Sequence, residues 1–361
     1  MTVNDKNYFT APCLWDEQKE QEILDIVPQK GRKLTELYGT VPNEVIVTGR
    51  YNKVLDEMSK EKALDFKKNF VEKKGLKFAY LLNAPIDVRN VQEKKMEEYL
   101  DWIINQFKAD SLTISSKSLL KKVRELYPEV AINISTIAGI KDVKDFEEYV
   151  RFEPKRMVLH HDCVKDIVSL KDIQAECEKN DIILELMVNE SCLNHCPLRK
   201  AHYDCLADNV DDRKFHRSCN TEKITNPYQF LYANHIRPED IDLYSDMGIH
   251  YFKITGRSKP IQWHYEVMKA YLEGKYEGNL IRLLGIDPSL EAEKMIYLDN
   301  RCLDGFARGL LADVDEQMTM CRKKIVDLYR QHAFYSLSED IEFGIVDDEL
   351  ICKKGGNHIY E

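Results

Sequence analysis

Short β-branched or apolar runs alternate with longer amphipathic stretches through most of this chain, and that alternation limits the fold more than any other feature. Strand character falls at residues 33–38, 45–48, 77–83, 111–115, 130–136, 156–161, 182–188 and 250–255. Between them, residues 63–74, 94–107, 116–126, 143–150 and 166–178 repeat apolar side chains every three or four positions, the period of a helix packed on one face. Alternating strands and helices make a parallel sheet, and eight is the strand number that closes a TIM-like (β/α)8 barrel. The chain of 361 residues accommodates a barrel of roughly 250 residues and more besides. Residues 1–285 are therefore expected to form the barrel. Residues 286–361, with a helix at 315–332, are expected to be a C-terminal helical extension packed on it. A doubly wound open sheet competes with this reading, because the connection at 39–44 is too short for a crossover helix.

Chemistry in such a barrel belongs at the C-terminal ends of the strands. After the seventh strand the pattern breaks into one long cysteine-containing loop, residues 189–235, and loops of that length are uncommon unless functional. The N-terminus has neither the basic flank nor the apolar core of a signal peptide, and no apolar run approaches the ~20 residues that span a bilayer. A soluble, cytoplasmic protein with no membrane contact is expected. With 52 Lys and Arg against 62 Asp and Glu, the net charge of −10 argues against a coat on free nucleic acid. A reducing cytosol disfavours disulfides, so the ten cysteines need another account. Cys13, Cys163, Cys177, Cys321 and Cys352 are scattered and read as small buried hydrophobes. Cys192, Cys196, Cys205 and Cys219 instead crowd into the long loop with His195, His202 and His216.

The cluster's spacings are three, eight and thirteen intervening residues. Structural zinc prefers pairs of closely spaced cysteines, and only Cys192 and Cys196 fit. An iron–sulfur cluster tolerates looser spacing, because its thiolates surround a larger core. Spacing alone leaves iron–sulfur, zinc and a group of buried cysteines open. Around this loop, strand ends collect polar groups: Glu36, Arg50, Asn83, Ser115, Ser135, His160, His161, Asp162, Asn189, Glu190 and Lys253. Glu36, Arg50 and Asn83 are candidate substrate-binding polars. A histidine at 160 or 161 suits proton transfer near neutral pH, and strand alternation should turn only one of the two inward. Lys253, Arg257 and Lys259 bracket Gly256; an arginine fork matches a carboxylate, and Arg50 could supply a second cation. Lys253 at a strand end also suits a Schiff-base lyase. His195 and His202 are candidate donors to cluster sulfur. Neither a G-x-S-x-G elbow nor an HExxH helix is present.

The segments NESCLNHCPLRKAHY, IRPEDIDLYSDMGIHYFKITGRSK and LDNRCLDGF resemble the collagenase-like peptidase family U32, over about residues 35–310. KITGR stands where the family commonly has KIEGR, and the cysteine loop departs from the commoner pattern, as in a divergent subfamily. The resemblance implies a TIM-like barrel with an oxygen-sensitive 4Fe–4S cluster on four cysteines. It also implies oxygen-independent hydroxylation, as in relatives that act on RNA bases or a quinone precursor with prephenate implicated as oxygen source. Other relatives carry a protease label. Carried over by position, Cys192, Cys196 and Cys219 are the metal ligands. Where many relatives have another cysteine this chain runs Ile236, Arg237 and Pro238, so Cys205 is the fourth ligand by proximity, with Cys302 in reserve. His160, His161 and Lys253 are the candidate catalytic residues. The implied partners are a small carboxylate co-substrate and an electron donor or a protein of the same family, with RNA as one substrate class. The competing functions are a peptidase, or a non-catalytic partner subunit stabilised by metal, with zinc as the alternative ion.

Overall fold

In the computed structural model, which describes residues 6–29, 31–42, 45–46, 48, 58–83, 93–208, 210–286 and 291–355, eight parallel strands close into a barrel in chain order. They are β1 (Asn7–Pro12), β2 (Arg32–Gly39), β3 (Lys77–Leu82), β4 (Ser111–Ile114), β5 (Ile132–Ile134), β6 (Arg156–Val158), β7 (Ile183–Met187) and β8 (Tyr251–Lys253). β8 returns to β1, pairing Tyr8 with Tyr251 and Thr10 with Lys253, so the sheet has no open edge. The doubly wound alternative is excluded.

One expected strand is replaced by another. Val45 and Ile46 lie in a bend and belong to no strand, and residue 47 is outside the described residues. β1 takes that place in the barrel. Its buried polar residues, Asn7 and Thr10, interrupt the apolar run that marks the other strands. The helix Glu17–Leu24, whose first turn is capped by Asp16 accepting from the Lys19 amide at 3.0 Å, then makes the first crossover. The short connection after β2 therefore poses no topological problem. Ser116 and Asp166 cap the crossover helices Lys117–Leu126 and Ile167–Lys179 in the same way, each cap contributing about 1 kcal/mol.

Alternate residues of a strand share a face, so the barrel interior is layered. One layer is charged. Arg156 donates to Glu36 Oε1 at 2.7 Å and to Glu185 Oε1 at 3.2 Å, and Thr10 Oγ1 donates to Glu185 Oε1 at 2.9 Å. Two residues further along the same strands, Tyr38, Val158 and Met187 form the next layer, joined by Lys253 of β8.

The cysteine-containing excursion after β7 is largely helical rather than loop. It holds the helices Arg199–Ala207, Arg213–Thr225 and Gln229–Tyr232. The buried Lys165 ammonium ties down the last of these by donating to the Leu231 carbonyl at 2.6 Å and to that of Ala233. The C-terminal extension shares the barrel's apolar cluster through Cys321, Ile325, Val326 and Leu328 of the helix Gln317–Arg330. Arg237 is buried and donates to the Asn300 carbonyl at 2.6 Å, joining barrel and extension. The extension is not purely helical: it ends in an antiparallel hairpin, Glu342–Val346 with Glu349–Lys354.

Candidate active site at the barrel mouth

A cavity of about 120 Å³ lies at the C-terminal ends of the strands, with Tyr38, Val158, Met187 and Lys253 in its floor. Its wall comes from the excursion. Cys192, Cys196 and Cys219 all line it, together with Arg199 and Lys223. Arg199 Nη1 donates to Cys192 Sγ at 2.8 Å. Lys223 is 1% exposed and sits one helical turn beyond Cys219, on the same face of the helix. Burial pushes the Cys192 thiol up to about 11, against the pull of Arg199. Cys219 donates to Cys196, which draws the Cys196 thiol down and raises that of Cys219. Burial lowers the Lys223 ammonium, while Cys219, Cys192 and Glu190 hold it up.

The end of β6 secures this wall. Asp162 accepts from Lys141 Nζ at 3.0 Å, from Asn234 Nδ2 at 2.9 Å and from the His195 amide at 3.2 Å. The Asn234 amide in turn donates to the Cys192 carbonyl at 3.1 Å. On the opposite side Asn189 holds the turn after β8: its Oδ1 accepts from the Thr255 amide at 2.7 Å. Gly256 follows at φ +115°, where a Cβ would come within 2.5 Å of the Trp263 ring. Gly256→Ala should therefore lose about 1–3 kcal/mol from strain and displacement of Trp263. Urea unfolding would measure this; an unchanged midpoint would show that the turn yields freely.

Of the residues expected from sequence, Asn83, Lys253 and Arg257 line the cavity with the three cysteines. Lys253 Nζ lies 3.6 Å from the centre of the Tyr38 ring, a cation–π contact. Of the histidine pair, only His161 faces the cavity, as alternation requires. It is 2% exposed, and neither ring nitrogen has a hydrogen-bond partner. Burial holds its pKa well below 6.5. His160 is turned away, with Nδ1 accepting from the Asp162 amide at 3.2 Å.

The structure places the remaining expected residues differently. Glu36 is not at the mouth but in the charged layer beneath it, because β2 continues to Gly39 and leaves Glu36 mid-strand against Arg156. Cys205 is outside the cavity lining; its Sγ faces the carbonyls of Val210 and Asp211, both at 3.6 Å. Cys302 belongs to the turn Asn300–Leu303 of the extension and does not line the cavity either. His195 points outward with its side chain 72% exposed, and His202 Nε2 lies 2.9 Å from Asp212 Oδ2. Arg50 lies outside the described residues. Arg199, Lys223, Asp212 and His216 carry no signal in the apolar pattern; their helical spacing relative to the cysteines was the available clue.

No helix among the described residues is long and apolar enough to cross a membrane. The model of Peptidase family U32 matches residues 55–276, which carry β3 to β8 and the whole cysteine excursion. An uncharacterized protease of Methanocaldococcus jannaschii is 30% identical over 288 residues, covering 75% of this chain and 80% of that protein. A solved U32 peptidase structure, 12% identical, aligns over 70% of this chain and 94% of its own with a TM-score of 0.47. The family match over residues 55–276, together with the 30% identity to the Methanocaldococcus jannaschii protein, carries the conclusion: the chain belongs to peptidase family U32.

Proposed function

We propose that the cavity is the active site of an iron–sulfur enzyme acting on a carboxylate-bearing substrate or co-substrate. The observation that carries this reading is the meeting of three thiols with Arg199, Lys223, Lys253 and Arg257 in one cavity. Metal binds thiolates, and three thiolates removed from water need compensating positive charge. The residues present fit a soft-metal group of that kind. Cys192, Cys196 and Cys219 would hold it, and His161 offers an unpartnered imidazole for a remaining position. When bound, an iron–sulfur cluster supplies one-electron or Lewis-acid chemistry.

The chain's own residues supply the rest. Arg257 and Lys253 bind and orient a carboxylate; His161 either ligates or accepts a proton at a ring nitrogen; the excursion helices exclude water. This suits oxygen-independent hydroxylation of an organic or RNA substrate with an acid such as prephenate. A peptidase reading rests on the family name. It would need a nucleophile paired with a base, and His161 has no such partner among the described residues.

The test is anaerobic reconstitution with iron and sulfide, quantified for wild type and single variants. Cys192→Ser, Cys196→Ser and Cys219→Ser should lose most of the bound iron, whereas Cys205→Ser and Cys302→Ser should keep it. Colourless anaerobic protein with stoichiometric zinc at the cysteines would replace the iron–sulfur reading by a zinc site. Peptide cleavage at full rate by all three cysteine variants would overturn it in favour of a peptidase.

A further inference from the structure

Beside the cysteines, the two excursion helices bring a second donor set together. His202 Nε2, from Arg199–Ala207, lies 2.9 Å from Asp212 Oδ2, and His216 Nε2, from Arg213–Thr225, lies 3.2 Å from the same oxygen. One ligand atom from each residue lies within 4.8 Å of the others. Phe215 stacks on the His202 ring at 4.9 Å and 14°, fixing its plane. We propose that His202, Asp212 and His216 form a metal site for one divalent transition cation of the zinc type.

Charge is the first argument. Asp212 is 8% exposed, and its Oδ2 meets both imidazoles. A carboxylate that deeply buried calls for a positive partner. A divalent ion supplies it while using both imidazole nitrogens as ligands. Geometry is the second. Ligands about 2.0–2.2 Å from a tetrahedral ion stand roughly 3.3–3.6 Å apart, so the observed separations of 2.9 and 3.2 Å need to open by only a few tenths of an ångström. Donor chemistry is the third: two imidazoles and one carboxylate suit zinc or a neighbouring first-row ion rather than magnesium or calcium. The same tests reject the other clustered triad, His160, His161 and Asp162. There the carboxylate is already held by Lys141, Asn234 and the His195 amide.

Three protein ligands leave a tetrahedral ion one open position, and His202 and His216 both line the main cavity. A water or an anionic group of the substrate would occupy that position. This site is independent of whatever the cysteines hold.

Holoprotein with its cysteines loaded is equilibrated with zinc, and zinc and iron are both quantified. Wild type should take up one zinc per chain. Asp212→Asn and His216→Ala should weaken zinc uptake at least about ten-fold while iron stays constant. Zinc K-edge absorption of the wild type needs no variant: it should show nitrogen and oxygen at about 2.0–2.1 Å without sulfur at about 2.3 Å. Sulfur in the zinc shell while iron still fills the cysteines, no zinc uptake by wild type, or full affinity in a folded Asp212→Asn protein would each overturn the assignment and leave the triad a hydrogen-bonded clamp between two helices.

Discussion

Replacing Arg156 by methionine should destabilise the fold by about 3–5 kcal/mol, the range for removing one partner of a buried ion pair. Its guanidinium is the shared cation between Glu36 and Glu185, whose side chains are 3% and 1% exposed. Without it two carboxylates face each other inside a closed barrel. Burial already raises the Glu36 carboxyl above 4.5, with Arg156 opposing the rise. A carboxyl raised on folding gives up its proton at a higher pH in the folded chain than in the unfolded one. Its stabilising contribution is present below the unfolded pKa and is lost as pH climbs through the folded value. In the variant the Glu36 carboxyl should rise further, so the deficit against wild type should widen between roughly pH 5 and pH 8. Urea unfolding at both pH values measures this. Adding Glu185→Gln should recover part of the loss. A deficit below about 1 kcal/mol, unchanged with pH, would mean that water reaches this layer.

The layer was poorly legible for a reason visible in β2. Polar residues near a strand's end look like mouth residues, and Glu36 lies two residues before the end of the expected strand 33–38. The strand in fact continues to Gly39, and two residues along a strand separate a buried ion pair from a cavity floor. β3 to β8 could be read because their apolar runs follow from burial in a parallel sheet. β1 could not, since Thr10 bonds Glu185 inside the barrel and breaks the apolar signal. Val45 and Ile46 carry that signal without belonging to a strand.

The site divided along the same line. Cys192, Cys196 and Cys219 were accessible through motif and resemblance. Cys205 was chosen by nearness in sequence, but helix geometry decides nearness in space. It lies one turn beyond His202, toward the end of its helix, where its thiol meets carbonyls instead of the cavity. Asp212, His216, Cys219 and Lys223 are spaced to share one helical face. That face is polar like most of the helix, so no amphipathic pattern announced it. Packing chemistry against the barrel mouth, rather than apolar burial, is what selects those residues.

Arg257→Ala should weaken a bound dicarboxylate such as prephenate by about ten- to hundred-fold, with iron content unchanged. A charge-assisted hydrogen bond contributes about 1.5–3 kcal/mol, and each 1.4 kcal/mol is a factor of ten. Arg257→Lys should recover only part, because an ammonium lacks the two-pronged fork. Lys253 gives the same pocket a pH dependence. Burial lowers its ammonium below 10.5, opposed by Glu185 and Glu36. A lysine lowered in this way must be protonated to hold a carboxylate, so affinity should fall as pH rises through its depressed value. The direction separates the two cations. Lys253→Met should bind weakly at every pH and lose the alkaline decline, whereas Arg257→Ala should bind weakly and keep it. Calorimetric titration of prephenate and simpler dicarboxylates into wild type and both variants reads all of this. Equal affinity in the three proteins would remove the arginine and lysine from substrate binding, leaving their positive charge to serve the thiolates alone.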